Sequence, residues 1–359
     1  MMRVDTAACR AFARDALHAK GLREDLAGQT AGILIEADLM GHNTHGIAQL
    51  PAYLQQIDLG GMACDGAFEV TRDAPAAFAI AGNRLPGAHV LTHALREALE
   101  RSRVHPVVTA TIADCFHIGA LQTYLPPVIE QGRIALIFTT DPGASSVAPF
   151  GAVEPVLTSN PLAFAVPGAR PIMADICTSL ISNGTAAQAR QAGETLPGAY
   201  VLGSDGRTTD DPEALFADPP GTILPLGGTG FGHKGFALGL LVETLALAVP
   251  GYGRSRSRTT HGEGVFVQVI DPGFFAGDAV FAAEIDALTG ACVSARAADG
   301  STPVRLPGQG ATRRRKEQLD RGLRLAPHMI RAMELASQGT GVSMPPALPD
   351  RATGGRAHD

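Results

Sequence analysis

VVTATIADCFHIGALQTYLPPVIEQGRIALIFTT, residues 107–140, decides the fold class of this chain. Its two ends, 107–114 and 134–140, are short runs of β-branched and apolar residues, which are typical of strands. Between them, 119–131 carries the apolar spacing of a helix. Because strands and helices also alternate elsewhere in the chain, the sequence predicts an α/β fold.

The same patterns extend in both directions from this stretch. Further elements are predicted as helices at 7–20, 24–40, 87–101 and 234–248, and as strands at 162–167, 171–176 and 265–271. Thr6 is placed to cap the first helix and Gly41 to end the second, and a third short helical segment passes through Tyr53. The stretch 344–359 is rich in Pro, Gly and charge, so we expect a flexible tail there.

Length and composition exclude several classes of protein. With 359 residues, of which 45% are hydrophobic and 18% charged, the chain is expected to be globular. The net charge is −6 and there is no long basic block, so we expect no nucleic-acid partner. No run approaches roughly 18 consecutive apolar residues and the N-terminus lacks a signal-peptide core, so we expect a soluble, cytoplasmic protein without a membrane span. The 5 cysteines are widely spaced, which argues against disulfides and a metal site.

A glycine-rich motif, GFGHKG at 230–235, formally matches the dinucleotide fingerprint G-x-G-x-x-G. It follows a possible strand at 222–226, so a Rossmann dehydrogenase that uses Gly230–Gly235 is one alternative, and a strand order of 3-2-1-4-5-6 would support it. That fingerprint also needs an acidic residue about 20 positions later to hold the ribose, and GYGRSRSRTTH at 251–261 contains none. The basic part of that segment, RSRSR at 254–258, is either a contact for a 2′-phosphate or an exposed loop.

Three titratable side chains stand where chemistry is common. His45 follows a helix in the turn HNTHG, next to Thr44, and an imidazole exchanges protons near neutral pH. His117 follows a predicted strand, where α/β proteins gather functional groups. Lys234 stands at the start of a predicted helix, whose free amides form an anion site. The alternatives are histidines that only satisfy their own loops and a solvated lysine, and the residues alone do not decide between these roles.

Eight sequence blocks, in a fixed order between residues 5 and 335, resemble the malate/L-lactate dehydrogenase type 2 family. That family includes ureidoglycolate, sulfolactate and 2,3-diketogulonate enzymes and cyclic imine-2-carboxylate reductases. The blocks are ADLMGHNTHGIAQLPAYL (37–54), DCFHIGALQTYL (114–125), VAPFGAVEPVLTSNPLAFAVP (147–167), ADICTSLISNG (174–184), LPGAYVLGSDGRTTDDPEAL (196–215), LPLGGTGFGHKGFALGLLVETLA (224–246), VFVQVIDPGFF (265–275) and RLPGQ (305–309). The first is similar to the family pattern D-x-x-G-x-x-S-H-G-x-x-R-x-x-x-Y.

The resemblance implies a fold other than the Rossmann fold, with a mixed sheet, helices on both faces and an N-terminal helical subdomain. That subdomain, 1–75, would pack with C-terminal helices in 310–340, and 76–310 would form the α/β domain that binds cofactor and substrate. The implied enzyme is an NAD(P)-dependent oxidoreductase. It transfers a hydride to or from C2 of a 2-oxo or 2-hydroxy acid, or of a cyclic imine-2-carboxylate, with NAD or NADP as cofactor. A small carboxylate substrate and a homodimer are the implied partners.

The resemblance also assigns roles to individual residues. His45 and His117 are the candidates for the catalytic proton carrier, and the choice between them stays open. The residues implied in substrate binding are Thr44, Gln49 and Tyr53. The residues implied in cofactor binding are Thr140, Asp175, Ile176, Cys177, Lys234, Gly235, Pro307, Gly308 and Gln309.

Two positions depart from the family pattern and leave the substrate open. Gln49 stands where the family usually has an arginine, which would grip a substrate carboxylate through two charge-assisted hydrogen bonds. Thr185 stands where the family commonly has a lysine. These departures favour another alternative, a family member that has lost catalysis and binds only a nucleotide or partner. Both histidines and Lys234 favour an enzyme.

Overall fold

The computed structural model describes residues 2–255 and 262–349. The strands are β1 (Met2–Val4), β2 (Glu69–Ala74), β3 (Ala77–Ala81), β4 (Val107–Cys115), β5 (Ile134–Thr140), β6 (Leu162–Val166), β7 (Ile172–Ile176), β8 (Val201–Leu202), β9 (Thr208–Thr209), β10 (Thr222–Ile223), β11 (Glu263–Ile270) and β12 (Leu323–Leu325). The helices are α1 (Thr6–Ala19), α2 (Glu24–Met40), α3 (Leu50–Asp58), α4 (Gly87–Arg101), α5 (Pro126–Glu130), α6 (Asn183–Ala192), α7 (Gly228–Glu243), α8 (Gly273–Ala276), α9 (Asp278–Ser294), α10 (Gln309–Arg321) and α11 (Pro327–Thr340).

The largest sheet has seven strands in the order β2-β3-β4-β11-β5-β6-β7. Within the described residues, β3 and β4 are its one parallel pair, and every other neighbour is antiparallel. This confirms the expected mixed, non-Rossmann sheet. The Rossmann alternative is wrong, because that fold needs a parallel sheet in a different order. In addition, the strand before GFGHKG, β10, belongs to a separate three-stranded antiparallel sheet with β8 and β9.

Helices cover both faces of this sheet, as expected. Strand β11 lies at its centre, and its side chains point alternately to the two faces. Val265 and Val267 join the main core, in which α4 packs, whereas Phe266 packs with Phe138 and with Val242 of α7 on the other face. Because both faces are covered, β11 is buried, which suits its apolar, β-branched sequence.

The first two helices begin and end at identifiable caps. Helix α1 is capped by Asp5 and not by the predicted Thr6: the Asp5 carboxylate accepts a hydrogen bond from the Ala8 amide at 2.8 Å. A carboxylate is among the best acceptors for a free amide at a helix start. Helix α2 ends, as predicted, at Gly41, whose φ of 93° lies in the left-handed region.

The predicted helix at 119–131 is shorter in the structure. A 3₁₀ turn at Leu121–Tyr124 and the single turn of α5 replace it. Pro126 and Pro127 lack amide hydrogens, and proline also restricts the residue before it, so a helix cannot continue through this pair.

The N-terminal and C-terminal helices pack on each other. Gln318 of α10 donates hydrogen bonds to the carbonyl oxygens of Asp38 and Leu39 at the end of α2, at 2.9 and 3.0 Å. Buried residues of these helices and of the main sheet form one continuous core, so 1–75 and 76–310 do not have separate cores. The first part of the predicted tail lies beside β1, where the Leu348 amide donates to the Arg3 carbonyl at 2.7 Å. Residues 350–359 lie outside the described residues.

Helix α7 and the π-helical turn after it, Thr244–Ala248, form a long apolar segment of 21 residues. It begins at Gly228, before the predicted start, so GFGHKG lies in its first turns, where the backbone is kinked at Phe231. By length and composition alone this segment could cross a membrane, with a mean hydropathy of 1.2 and 33% of its most apolar window buried. A core helix passes the same test, but this one leaves much of its apolar surface uncovered in the single chain.

Candidate active site

The turn His42–Gly46, directly after α2, carries two predicted site residues. The buried carboxyl of Asp38 holds this turn, because it accepts a hydrogen bond from the Ile47 amide at 2.7 Å. Burial raises the pKa of Asp38 well above its usual value. A Cβ at Gly46 would overlap the Asp38 carboxyl, so only glycine fits there. The acid and the glycine of this motif therefore fix the turn that presents His45.

His45 points from this turn toward a second histidine. Its Nδ1 lies 2.8 Å from the Thr44 hydroxyl, and its ring stacks on that of His117 with centroids 5.7 Å apart. Burial lowers the pKa of His45, while the negative charge of Asp175 opposes this shift and His42 reinforces it. His45 is therefore neutral at neutral pH, with one nitrogen as donor and the other as acceptor.

His117 lies just past the end of β4, in the loop where the sequence predicts it. The Tyr53 hydroxyl is 2.6 Å from His117 Nδ1, and Glu263 Oε1 is 3.9 Å from His117 Nε2. Burial raises the pKa of Tyr53, so its hydroxyl stays protonated. The structure therefore brings the two predicted histidines and Tyr53 into one cluster.

A cavity of about 650 Å³ opens beside this cluster. Five of the predicted residues form part of its wall, namely Thr44, His45, Asp175, Ile176 and Cys177. Three serines from two segments, Ser159, Ser179 and Ser182, add neutral polar residues. The wall contains no lysine or arginine among the residues that the structure describes, so an anion bound here would be held by neutral donors or by groups outside that wall.

The wall of the cavity suits a nicotinamide. Ligand sites commonly measure about 300–1,000 Å³ and combine apolar surface with a few polar groups. The Ile176 side chain is 43% exposed and, with Leu226, offers apolar surface on which a flat ring can rest. Burial raises the pKa of the Cys177 thiol to about 11, so this wall residue is neutral. Ser159 and Ser179 lie on the same wall, where the Ser179 hydroxyl donates to the Ile181 carbonyl at 2.7 Å and the Ser159 carbonyl accepts from the Thr178 amide at 3.0 Å.

The two residues that depart from the family pattern have different positions. Gln49 is half-buried, and its side-chain amide donates to the Thr44 carbonyl at 2.6 Å. Gln49 therefore stabilises the turn that carries Thr44 and His45, next to the cavity. Thr185 lies on the cavity wall, in the first turn of α6, and its hydroxyl is 2.9 Å from that of Ser182.

Thr140 belongs to a buried polar network behind the cavity. Its hydroxyl donates to Asn160 Oδ1 at 2.6 Å, and the Asn160 amide donates to Glu243 at 3.0 Å. Arg254 donates to both carboxylate oxygens of Glu243, each at 2.9 Å. The first arginine of RSRSR is thus paired with a carboxylate, and residues 256–258 lie outside the described residues.

The predicted glycine-rich segment reaches the site through Gly235. Its amide donates to the Leu226 carbonyl at 3.1 Å, and a Cβ there would overlap the Leu226 backbone. Gly235 therefore lets α7 approach Leu226, which lines the cavity. Lys234 is exposed, and its Nζ lies 5.1 Å from the centre of the Phe231 ring, away from the described wall.

The late loop Pro307–Gln309 packs against the start of β7. The Met173 amide donates to the Pro307 carbonyl at 3.1 Å, and Gly308, with φ of 92°, lies against the Met173 backbone. Gln309 accepts a hydrogen bond from the Leu306 amide at 3.0 Å. This loop therefore supports the strand whose other end carries Asp175, and it does not form part of the described cavity wall.

Three polar residues at the site are missing from the sequence prediction. His42 Nε2 lies 2.7 Å from Gln122 Oε1, and the main-chain amide of Gln122 donates to Asp175 Oδ2 at 3.0 Å. His42 has a signal, because it shares the HNTHG turn with His45. Glu263, the third, stands just before a recognised block, and a single glutamate at a strand start gives no signal in the sequence.

Comparison with known proteins identifies the family to which this fold belongs. The model of the malate/L-lactate dehydrogenase family matches residues 4–334. The chain belongs to this family. It is 31% identical over 354 residues to an L-lactate dehydrogenase of Cupriavidus necator, covering 96% of this chain and 100% of that protein.

Other members of the malate/L-lactate dehydrogenase family are similar over shorter or more distant alignments. A (2R)-3-sulfolactate dehydrogenase (NADP(+)) of Chromohalobacter salexigens is 31% identical over 66% of this chain and 68% of its own length. The structure of a delta1-piperideine-2-carboxylate reductase from Pseudomonas syringae matches with a TM-score of 0.81 and 26% identity, over 93% of this chain and 100% of that one. The chain is accordingly an NAD(P)-dependent oxidoreductase, and the comparisons favour this over the non-catalytic alternative.

Proposed function

We propose that this oxidoreductase transfers a hydride between a nicotinamide and C2 of a 2-oxo acid or a cyclic imine-2-carboxylate. The observation that carries the proposal is the stacked pair His45–His117 beside a cavity of about 650 Å³. Reduction of a C=O or C=N group needs a hydride at carbon and a proton at the heteroatom. Two imidazoles beside one cavity suit the second requirement.

We further propose a division of work between the residues. His117 carries the proton, since Tyr53 holds its Nδ1 and leaves Nε2 to exchange the proton. Neutral His45 donates a hydrogen bond that polarises the substrate oxygen or nitrogen, and Thr44 orients its ring. Asp175, Ile176 and Cys177 hold the nicotinamide against the substrate, with support from Thr140, Gly235 and the loop Pro307–Gln309, while Lys234 binds a phosphate of the cofactor. When bound, the reduced nicotinamide supplies the hydride.

A substrate scan tests this function. The purified protein is mixed with NADH or NADPH and with small 2-oxo acids, pyrroline-2-carboxylate or piperideine-2-carboxylate, and the absorbance of the reduced nicotinamide is followed. We expect turnover of at least one compound and its loss in His117→Asn, with cofactor affinity unchanged. Absence of turnover with every compound and both cofactors would count against the proposal.

We also propose that a second copy of this chain covers the apolar surface of α7, α8 and α9. Phe274 and Phe275 of α8 are 67% and 65% exposed, and Leu288 of α9 is 55% exposed. Helix α9 is apolar along most of its length, yet Thr289 is its one buried residue within the described chain. Surfaces of this kind mark protein–protein interfaces. A homodimer is therefore the expected state, and we propose the cytoplasm as its location.

Light scattering tests the dimer. The wild-type chain should have twice the monomer mass at micromolar concentration, and Phe274→Glu together with Leu288→Glu should lower it to the monomer mass. Glu100→Lys, on the far helix α4, is the matched control and should leave the dimer intact. A wild-type monomer with full activity contradicts the proposal.

A further inference from the structure

We propose that Glu263 is a positioning residue: its carboxylate holds His117 in the form that carries a proton on Nε2. The inference rests on the proposed function, in which His117 exchanges a proton with the substrate. It assigns a role to a residue that the sequence alone does not single out.

The contacts of Glu263 fix its carboxylate beside the imidazole. Its Oε2 accepts hydrogen bonds from the Thr139 hydroxyl at 3.1 Å and the Ile118 amide at 3.3 Å. Its Oε1 lies 3.9 Å from His117 Nε2. The side chain is 13% exposed, and donors of this kind compensate for lost water and stabilise the ionised carboxylate. A fixed negative charge therefore faces one nitrogen of His117.

Tyr53 acts on the other nitrogen of His117. Its hydroxyl lies 2.6 Å from Nδ1 and comes from α3, whereas Glu263 comes from β11. When this hydroxyl donates to Nδ1, the proton of the neutral ring must reside on Nε2. A carboxylate near Nε2 favours the same tautomer and also stabilises the imidazolium. The two residues thus select one protonation pattern together.

Among the residues that the structure describes, the other titratable groups in contact with His117 or its neighbours are neutral or act on another residue. His45 stacks on the ring, and burial lowers its pKa. Burial raises the pKa of the Cys115 thiol on β4 and of the Tyr124 phenol, so both remain protonated. Asp175 acts on His45 from β7. Among the described groups, Glu263 therefore supplies the negative charge at Nε2.

This geometry predicts the direction of a pH effect. Reduction of the substrate needs protonated His117, and oxidation needs the neutral ring. If Glu263→Gln removes the stabilising charge, His117 loses its proton at a lower pH. In plots of rate against pH, the alkaline limb, where the reduction rate falls at high pH, and the acid limb, where the oxidation rate falls at low pH, should therefore both move to lower pH. The expected shift is about one pH unit or more for a charge within 4–6 Å.

An NMR titration tests the inference without any substrate. The imidazole signal of His117, assigned by its absence in His117→Asn, is followed against pH in the wild type, in Glu263→Gln and in Glu263→Asp. We expect the midpoint to fall by about one pH unit in Glu263→Gln and to stay closer to the wild type in Glu263→Asp, which keeps the charge. Glu97→Gln, on the outer surface of α4, is the control and should leave the midpoint unchanged.

Kinetics with an active substrate complete the test. Both limbs should shift in Glu263→Gln while KM for the cofactor is constant, because a purely structural loss would lower kcat without moving the limbs. An unchanged titration midpoint in a folded Glu263→Gln protein overturns the inference. If Glu263→Gln does not fold, Glu263→Met, which also removes the charge, takes its place, and an unchanged midpoint in that folded variant overturns the inference in the same way. A shifted midpoint without turnover of any substrate supports the role of Glu263 and counts only against the proposed function.

Discussion

The side-chain amide of Gln49 donates a hydrogen bond to the main-chain carbonyl of Thr44, with Nε2 2.6 Å from the oxygen. Gln49 therefore stabilises the turn that carries His45, a role that is separate from binding the substrate carboxylate in place of the family's arginine. No lysine or arginine replaces the family's arginine on the described cavity wall. Small 2-oxo acids, which carry a carboxylate, should thus bind weakly in the wild type.

Gln49→Arg should strengthen binding of these acids. A guanidinium has donors enough to keep the bond to Thr44 and to present another to the cavity. A charge-assisted hydrogen bond contributes about 1.5–3 kcal/mol, and each 1.4 kcal/mol is about tenfold in affinity, so KM for oxaloacetate or pyruvate should fall about tenfold or more. Gln188→Arg, which adds a charge elsewhere on the cavity wall, is the control. A micromolar KM in the wild type that Gln49→Arg leaves unchanged contradicts a role of position 49 in substrate binding.

Tyr53→Phe should slow the reaction without preventing binding. The change removes the hydroxyl 2.6 Å from His117 Nδ1 and leaves the ring in place. Loss of one such hydrogen bond costs about 0.5–1.5 kcal/mol, so kcat should fall by up to about tenfold while KM changes little. Steady-state kinetics measure both constants, and Tyr200→Phe, outside this cluster, is the control. Equal kcat values for Tyr53→Phe and the wild type would remove Tyr53 from the proton-carrying group.

Individual helices and strands could be predicted from the sequence, but the order of the strands in the sheet could not. The end of α2 at Gly41 and the strands β4 and β5 follow from residue spacing and from one glycine. The insertion of β11 between β4 and β5 could not be predicted, because it joins segments far apart in the sequence that have similar apolar patterns. Local spacing contains no information about such a pairing.

The same limit applies to the site. The family resemblance identifies His45 and His117 because both stand in recognisable motifs. It does not identify Glu263, which reaches His117 only because β11 pairs with β4 and brings Glu263 opposite Cys115. When two side chains meet only through a long-range strand pair, their proximity cannot be predicted from a single sequence until that pair is known.

Gly46→Ala should destabilise the protein and misplace His45. The new methyl group would overlap the Asp38 carboxyl, which is buried and cannot move into solvent. Overpacking of this kind costs about 1–3 kcal/mol of the free energy of unfolding, measurable by urea denaturation. Gly32→Ala is the matched control, since it lies in α2 with no atom near its Cβ position and should stabilise by about 0.4–1 kcal/mol. Equal stability of the two variants contradicts the close approach of Gly46 to Asp38.

Asp38→Asn should change the dependence of stability on pH. Burial raises the pKa of Asp38 in the folded chain well above its value in the unfolded chain. A carboxyl with a raised pKa is most favourable when protonated, so its contribution to the free energy of unfolding is lost as pH rises from the unfolded pKa through the folded one. An asparagine has no proton to lose, and its oxygen can still accept the bond from Ile47.

The stability of Asp38→Asn relative to the wild type should therefore increase as the pH rises above about 3.9, the ordinary pKa of an aspartate, with a gain of about 1.4 kcal/mol for each pH unit that lies between the unfolded and folded pKa values. Asp38 Oδ1 has no hydrogen-bond partner among the described atoms, so the amide NH₂ of asparagine would also lack one. That cost is independent of pH and lowers the stability of the variant by a constant amount. Urea denaturation across this pH range separates the two effects, because only the first has a slope. A constant difference between variant and wild type at every pH would mean that Asp38 titrates alike in the folded and unfolded chains, which contradicts its burial beneath the His45 turn.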